Sequence, residues 1–300
     1  MKLYRPTLLC VCLMIAAQSG IANTPSPSRS DLLKLVKSHR AKVSDIDVRW
    51  TYIHETLASD PAGPKRDPIP KSIDHIRQCG PLYVEDLLSW RTGREEPFHF
   101  VVAYDGEKLI NYHVDPRTAN ISPADMDRVR LVNWIYEVLK WPQQPERSPS
   151  GDLVRLLESD RTTILPDKET VYGVQTVVLD YDGWEKIWLD VQHGGIIRKS
   201  EARQPVGGPL SRRFEVPEIH EVNGVFLPAR IVRTAFASEK NPKEWWNTPV
   251  WRFTITIPKE TLKINSGFTK KDFQLELPPG TRVIDRATRT EYTVSSPPGR

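Results

Sequence analysis

A long series of short β-rich runs separated by turn residues limits the fold of this chain more than any other feature. Gly, Pro, Asn and Asp stand between the runs, and these residues interrupt sheet ladders and favour turns. The connections are short, which predicts that successive strands are antiparallel neighbours in a mainly β protein. The runs read PLYVEDLLSW, FHFVVAY, KLINYHV, TVYGVQTVVLDY, EKIWLDV, GIIRKSEA, SRRFEVPEIHEV, GVFLPARIVRTAFA, VWRFTITI, DFQLELP and TRVIDR.

The tripeptide Tyr-Asp-Gly occurs twice, each time between two such runs. Asp-Gly supplies the positive φ angles that a tight hairpin requires, so Asp105 and Asp182 are predicted to lie in turns. The alternative is a metal site, which would need further oxygen ligands at loop spacing. Glu107 and Glu185 alone fall short of a calcium loop. The sequence therefore predicts two hairpins and no metal site here.

The first part of the chain combines a short helix with a long strand. Ser30 is a suitable N-cap for a helix through DLLKLVKSHRAK, whose leucines form one apolar stripe. In IDVRWTYIHETL the side chains alternate, with Ile46, Val48, Trp50 and Tyr52 on one face. This is the period of a half-buried strand.

Two helical stretches interrupt the strands further on. In SPADMDRVRLVNWIYEVLK, Ser122 is a natural N-cap and Pro123 suits the first helical position. Apolar residues surround most of this helix, so it should be buried or cover a ligand. A loop and the shorter helix GDLVRLLES follow. No boundary for a second domain is evident, so residues 23–300 are predicted to be one domain with a helical insertion around 122–159.

Residues 1–22 read as an export signal. Lys2 and Arg5 precede the apolar stretch from Leu8 to Ala17, and small residues follow it. No other stretch approaches the roughly 20 apolar residues that cross a bilayer. We therefore expect a periplasmic or secreted protein that does not span the membrane after signal cleavage.

Cysteine content and charge exclude further classes. Cys79 is the single cysteine outside the signal, so no intrachain disulfide forms and stability must come from a packed core. Removal of Lys2 and Arg5 lowers the formal charge from +4 by two, and the charges are interspersed along the chain. Nucleic acid is therefore not expected as a partner.

Motifs of common enzymes are absent from the sequence. There is no Gly-rich phosphate loop, nucleophile elbow or Cys-x-x-Cys pair, and the histidines never pair at metal-ligand spacing. Cys79 and His75 would share one side of a helix if KSIDHIRQCG were helical, but a nucleophile and its base also need a third group. We predict no enzyme activity, no metal and no cofactor, and a hydrolase that uses Cys79 ranks last among the alternatives.

Three tryptophans cluster in KNPKEWWNTPVW. Trp245, Trp246 and Trp251 lie beside Lys240 and Lys243 on a predicted loop. Such a loop could contact a sugar, a lipid interface or a protein partner. The alternative is a hydrophobic plug that closes one end of a barrel.

Four stretches follow one another in an order that is typical of a known family. They are the helix at Leu32 to Lys37 leading into IDVRWTYIHETL, then EKIWLDVQHGGIIRKSEA, then EVNGVFLPARIV, and finally INSGFTKKDFQLELPPGTRVID. In this order the chain resembles the periplasmic lipoprotein-carrier superfamily, which includes LolA- and LolB-like proteins and the RseB-type sensor domain. The resemblance implies a strongly curved, incompletely closed antiparallel β-barrel plugged by helices.

The same resemblance implies a concave apolar pocket for acyl chains, as in outer-membrane lipoprotein sorting, with no covalent step. The residues expected to line it are Trp50, Tyr52, Phe98, Phe100, Ile110, Tyr112, Trp134, Ile135 and Val138. The alternative interpretation of these side chains is an ordinary core. The alternative function is a cell-envelope signalling or scaffold module that binds a protein partner through Trp245, Trp246 and Trp251.

Overall fold

The computed structural model describes residues 26–58, 71–91, 95–123 and 153–296. Helix α1 spans Arg29–Ala41, and helix α2 spans Leu153–Glu158. The prediction of Ser30 as the N-cap of α1 is wrong by two residues. Ser28 is the cap, because its hydroxyl accepts the Asp31 N–H at 3.2 Å while Asp31 Oδ2 accepts the Ser28 N–H at 3.1 Å. Such a reciprocal capping box satisfies two donors at the helix start.

Within these ranges, no helix has the length and apolar character needed to cross a membrane.

The described residues form a sheet of seventeen strands. The strands are β1 (Asp45–Thr56), β2 (Lys71–Cys79), β3 (Leu82–Trp90), β4 (Phe98–Tyr104), β5 (Lys108–His113), β6 (Thr118–Pro123), β7 (Thr162–Ile164), β8 (Glu169–Val171), β9 (Val174–Tyr181), β10 (Glu185–Asp190), β11 (Ile196–Arg203), β12 (Leu210–Val222), β13 (Val225–Phe236), β14 (Pro249–Thr256), β15 (Leu262–Ile264), β16 (Arg282–Asp285) and β17 (Thr290–Thr293).

Antiparallel pairing joins most of the strands in one continuous order. From one side to the other the order is β6, β5, β4, β3, β2, β1, β14, β13, β12, β11, β10 and β9. Strand β15 also pairs with β1, β7 and β8 pair with β9, and β16 extends the sheet by a parallel pairing with β6. The prediction of a mainly β protein with antiparallel neighbours is confirmed, and the sheet is large and curved.

Both Tyr-Asp-Gly tripeptides lie in hairpin turns, as predicted. Asp105 follows β4, and its Oδ1 accepts the N–H groups of Glu107 and Lys108, both at 2.9 Å. Asp182 and Gly183 follow β9 with φ angles of 52° and 68°. Asp105 therefore stabilises its turn by accepting backbone hydrogen bonds, and Asp182 adopts the left-handed conformation that its turn requires. In the described parts of the chain, no three His, Cys, Asp or Glu side chains are grouped as metal ligands would be.

KSIDHIRQC is strand β2, so the helix on which a pairing of His75 with Cys79 would have depended does not form. Two other local predictions were wrong. Ser122 and Pro123 end strand β6, where Ser122 pairs with Leu109, instead of starting a helix. DFQLELP contains the end of a short 3₁₀ helix at Lys270–Phe273 and continues without strand structure.

The helical insertion lies mostly outside the described residues, and so do its residues Trp134, Ile135 and Val138. The predicted signal at 1–22 and the proline-rich stretch DPAGPKRDPIPK up to residue 70 also lie outside the described residues. The shorter helix predicted after the insertion is confirmed as α2.

The two faces of the sheet have different coverings. We call the face that carries Trp50, Asp74, Leu87 and Phe100 the inner face, since these residues lie opposite one another across β1 to β4. Register carries the same face through β14, β13, β12 and β11 to Ile187 on β10. Helices α1 and α2 pack there, with Leu32, Val36, Leu156 and Leu157 against Val177, Leu179, Ile187 and Leu189.

The opposite, outer face of β3 to β6 is covered by the C-terminal segment. Phe273 is fully buried there and packs with Val84, Val101, Ala103 and Ala119. Strand β4, FHFVVAY, carries apolar side chains on both faces. Val101 and Ala103 pack against the C-terminal segment, and Phe100, Val102 and Tyr104 lie on the inner face.

Candidate functional site

A first aromatic cluster lies on the inner face where β1 pairs with β14. It consists of Tyr52, His54, Trp251 and Phe253, all of them half-buried. The Phe253 ring centroid lies 5.0 Å from that of Tyr52, 4.4 Å from that of His54 and 4.3 Å from that of Trp251. Burial lowers the pKa of His54, and its Nε2 has no hydrogen-bond partner. The cluster is therefore an apolar surface near neutral pH.

A second aromatic cluster lies on the same face where β4 pairs with β5. It consists of Phe98, Phe100 and His113, again half-buried. The His113 ring centroid lies 4.8 Å from that of Phe100 and 5.5 Å from that of Phe98. Register causes this contact, because His113 pairs directly with Phe100.

Short side chains separate the two aromatic clusters. Tyr52 pairs with Ser72, Ser72 with Ser89, and Ser89 with Phe98, so these residues form one row across β1 to β4. Adjacent strands are ~4.8 Å apart, which places the Cα atoms of Tyr52 and Phe98 at most roughly 14 Å apart. The row between the two clusters therefore carries the short side chains of Ser72 and Ser89, which are both only 6% exposed.

The neighbouring row carries a buried carboxyl group. Trp50 donates its indole N–H to Asp74 Oδ2 at 2.6 Å, and the Ser72 hydroxyl donates to the same oxygen at 3.2 Å. Burial raises the pKa of Asp74 to about 6 in spite of these donors. The second oxygen, Oδ1, is buried and has no hydrogen-bond partner within the described ranges.

Two further polar groups of the inner face lie on β3. Glu85 is half-buried between Ile76 and Val102, and burial together with the charge of Asp74 raises its pKa to about 8. Tyr83, two residues earlier on the same face, is only 2% exposed, and its hydroxyl has no hydrogen-bond partner. Burial, and then the charge of Glu85, raises the pKa of Tyr83. We call Asp74, Glu85 and the Tyr83 hydroxyl the acidic group.

The structure brings together only part of the predicted pocket lining. Trp50, Tyr52, Phe98 and Phe100 share the inner face. Ile110 and Tyr112 lie on the outer face, because Tyr112 pairs with Val101 and Ile110 with Ala103. They pack in the core with Phe273 and Val283. Trp134, Ile135 and Val138 lie outside the described ranges.

The three tryptophans of the predicted partner-binding loop do not form one loop surface. Trp251 lies on β14 and belongs to the first aromatic cluster. Trp245 packs with Trp251 against Ala235, Ala237 and Val250. Trp246 donates its indole N–H to the Asn241 carbonyl at 3.2 Å. Partner binding by this region stays a prediction.

The two members of the suggested nucleophile pair are far apart. Four residues along a strand span about 13 Å, so Cys79 and His75 do not meet on β2. His75 Nε2 instead lies 2.7 Å from Asp47 Oδ1 on the outer face.

Sequence reasoning missed the acidic group and two members of the first cluster, His54 and Phe253. Strand β2 buries Ser72, Asp74, Ile76 and Gln78, so its buried face is largely polar and the usual hydrophobic alternation is missing. The apolar residues Ile73, Ile76 and Cys79 recur every three residues and polar residues occupy both faces, so the sequence carries no period-of-two signal for this strand.

The structure is thus a mainly antiparallel, curved sheet whose inner face carries aromatic clusters and the acidic group. No protein-family model matches the sequence, and a search of curated proteins finds no match either.

Among solved structures, a DUF1329 family protein from Desulfovibrio piger is similar, with 8% identity, a TM-score of 0.46, and coverage of 83% of this chain and 98% of that one. A LolA superfamily protein from Nitrosomonas europaea has 12% identity, a TM-score of 0.43, and coverage of 83% and 99%. The lipoprotein LppX from Mycobacterium tuberculosis has 9% identity, a TM-score of 0.29, and coverage of 81% and 99%. These three TM-scores lie below 0.5, so the similarities carry no argument about the family or function of this chain, and the proposals below depend on the chain's own residues.

Proposed function

We propose that this protein is an exported, non-enzymatic binding protein of the cell envelope whose inner face holds an acyl chain or a similar amphiphile, such as the lipid of a lipoprotein. In this proposal residues 23–300 form one domain, and the curved sheet is an incompletely closed barrel that α1 and α2 cover at the β9–β10 side.

The observation that carries the proposal is the pair of aromatic clusters on one face. Rings of both clusters are half-buried, so each retains apolar surface that a ligand could cover. Burial of such surface contributes on the order of 25 cal/mol per Å² before ordering costs. The row between the clusters carries the short side chains of Ser72 and Ser89, and the next row of the same face carries Asp74 and Leu87.

The test uses residues 23–300 and a fluorescent fatty acid. Tyr52→Ser and Phe253→Ser remove rings of the first cluster, and Ile53→Ser is the matched control. Ile53 neighbours Tyr52 on β1 but points to the outer face and is 43% exposed. We expect at least about tenfold weaker binding in the first two variants and wild-type binding in the control, since about 1.4 kcal/mol corresponds to tenfold.

Native mass spectrometry of protein purified from an envelope fraction gives a second readout. A co-purifying acyl species supports the proposal. A ligand-free protein that also takes up no fatty acid would show that the inner face is solid core and would overturn the proposal.

A further inference from the structure

The acidic group contains two buried polar atoms that have no hydrogen-bond partner among the described residues. Asp74 is 7% exposed, and its Oδ1 has no hydrogen-bond partner. Tyr83 is 2% exposed, and its hydroxyl is unpaired as well. Buried polar groups are nearly always hydrogen-bonded, so two unpaired groups on one face call for an explanation.

The pairing of β2 with β3 places the two carboxyl groups of the acidic group close together on the inner face. Asp74 on β2 pairs with Leu87, and Glu85 on β3 pairs with Ile76, so the two carboxyl groups are diagonal neighbours on the same face. Tyr83 lies two residues from Glu85 on the same face and pairs with Gln78, so it adjoins Glu85 and is further from Asp74. Diagonal neighbours on adjacent strands lie about 7–8 Å apart at Cα, within reach of one small group between their side chains.

Among the described residues, no ion pair identified in the structure includes Asp74 or Glu85. The charge that acts on Glu85 is that of Asp74, which is also negative. The ionisable groups that share the inner face around these two carboxyl groups are Tyr52 on β1, Tyr104 on β4, His113 on β5 and, beyond Tyr52, Arg233 on β13.

We propose that the acidic group binds the protonated primary amine of an amphiphile whose apolar chain lies on the aromatic clusters. This inference rests on the proposed function. An ammonium group has three donors and no acceptor, so it can donate to Asp74 Oδ1 and to a Glu85 oxygen together. Asp74 Oδ2 is already occupied by Trp50 and Ser72, which orient the carboxyl group for this role. The aromatic rings on either side would receive the chain.

The test compares dodecylamine with dodecanol, two ligands with the same chain, by titration calorimetry at pH 7 below their aggregation concentrations. We expect the amine to bind at least tenfold more tightly to the wild type. Glu85→Gln and Asp74→Asn should each remove most of this preference without abolishing dodecanol binding. The matched control is Asp86→Asn, because Asp86 neighbours Glu85 on β3 but faces outward to His99 at 2.7 Å.

A second readout needs no variant. Glu85 has a pKa of about 8 and is mostly protonated at pH 7, so its pairing with an ammonium group should release close to one proton per ligand. Titrations in buffers of different ionisation enthalpy measure this release, and dodecanol should show none.

The outcomes separate the two proposals. Equal binding of both ligands, or a preference that survives in both Glu85→Gln and Asp74→Asn, would overturn the amine site and leave the acyl-chain proposal intact. Binding of neither ligand would overturn both.

Discussion

Trp50 and Asp74 are joined across the β1–β2 ladder by an indole hydrogen bond of 2.6 Å to Asp74 Oδ2, and both side chains are buried. The bond links the first strand of the sheet to the carboxyl group at the centre of the inner face. The bond occupies Oδ2, whereas Oδ1 has no hydrogen-bond partner in the part of the chain that the structure describes.

Replacement of Trp50 by Phe should be more destabilising than the same replacement at Trp188. Trp188 is also buried and donates its indole N–H to Glu169 at 2.8 Å, but the Glu169 side chain is 44% exposed, so water can replace the lost donor. Asp74 is buried, and the loss of a donor to it should cost about 1–3 kcal/mol more. Urea unfolding of the two variants measures the difference. Equal losses would show that the bond contributes nothing beyond volume.

Glu85 should make the protein less stable as pH rises. Its pKa in the folded protein is about 8, above the ordinary 4.5, so the folded state holds a proton that the unfolded state releases between these values. The free energy of unfolding therefore falls across this window by up to about 1.4 kcal/mol per pH unit. Glu85→Gln removes this contribution, so its stability relative to wild type should increase from pH 5 to pH 8.

Asp74 should show the same sign in a different window. Its pKa is about 6, compared with an ordinary 3.8. The free energy of unfolding of Asp74→Asn relative to wild type should therefore rise with pH mainly between these two values. Thermal unfolding of both variants at several pH values checks the two windows. A variant whose difference from wild type does not change with pH would contradict the assignment for that residue.

Asn265 should anchor the start of β1 to the C-terminal segment. Its Oδ1 accepts the backbone N–H of Ser44 at 2.8 Å, its Nδ2 donates to the Lys42 carbonyl at 2.8 Å, and its φ is 58°. Asn265→Gly keeps the backbone conformation and loses the bonds, which should cost about 1 kcal/mol. Asn265→Ala adds the left-handed strain of about 1 kcal/mol. Denaturant unfolding should show stability decreasing from wild type to Asn265→Gly to Asn265→Ala. An Asn265→Ala variant more stable than Asn265→Gly would refute the role of the φ angle.

Gly194 should be indispensable for the docking of α1. A Cβ atom there would lie 2.0 Å from His39 Cδ2 and 2.6 Å from His39 Cγ, whereas at Gly173 nothing lies within 4 Å. Both glycines have positive φ, 79° and 77°, so Gly173→Ala reports the strain alone. We expect Gly194→Ala to be less stable than Gly173→Ala by about 1–3 kcal/mol. Addition of His39→Ala should recover part of that difference if the clash is its cause.

Local chemistry was readable from the sequence wherever it acts between near neighbours. Asp182-Gly183 predicts a hairpin because its φ requirement is local, and the alternation of Ile46, Val48, Trp50 and Tyr52 predicts the inward face of β1. Strand β2 was missed because Ser72, Asp74 and Gln78 occupy its buried positions, and no local rule predicts a buried polar face.

The sequence by itself determined that this chain forms many short antiparallel strands, because turn residues and side-chain alternation specify strands and hairpins locally. Only the tertiary structure decided which strands meet and which face each side chain shares. A register of Phe100 with His113 places Ile110 and Tyr112 on the outer face, and a shift by one residue would reverse that. The acidic group depends on the same long-range pairing, since Asp74 and Glu85 become neighbours only when β2 and β3 align.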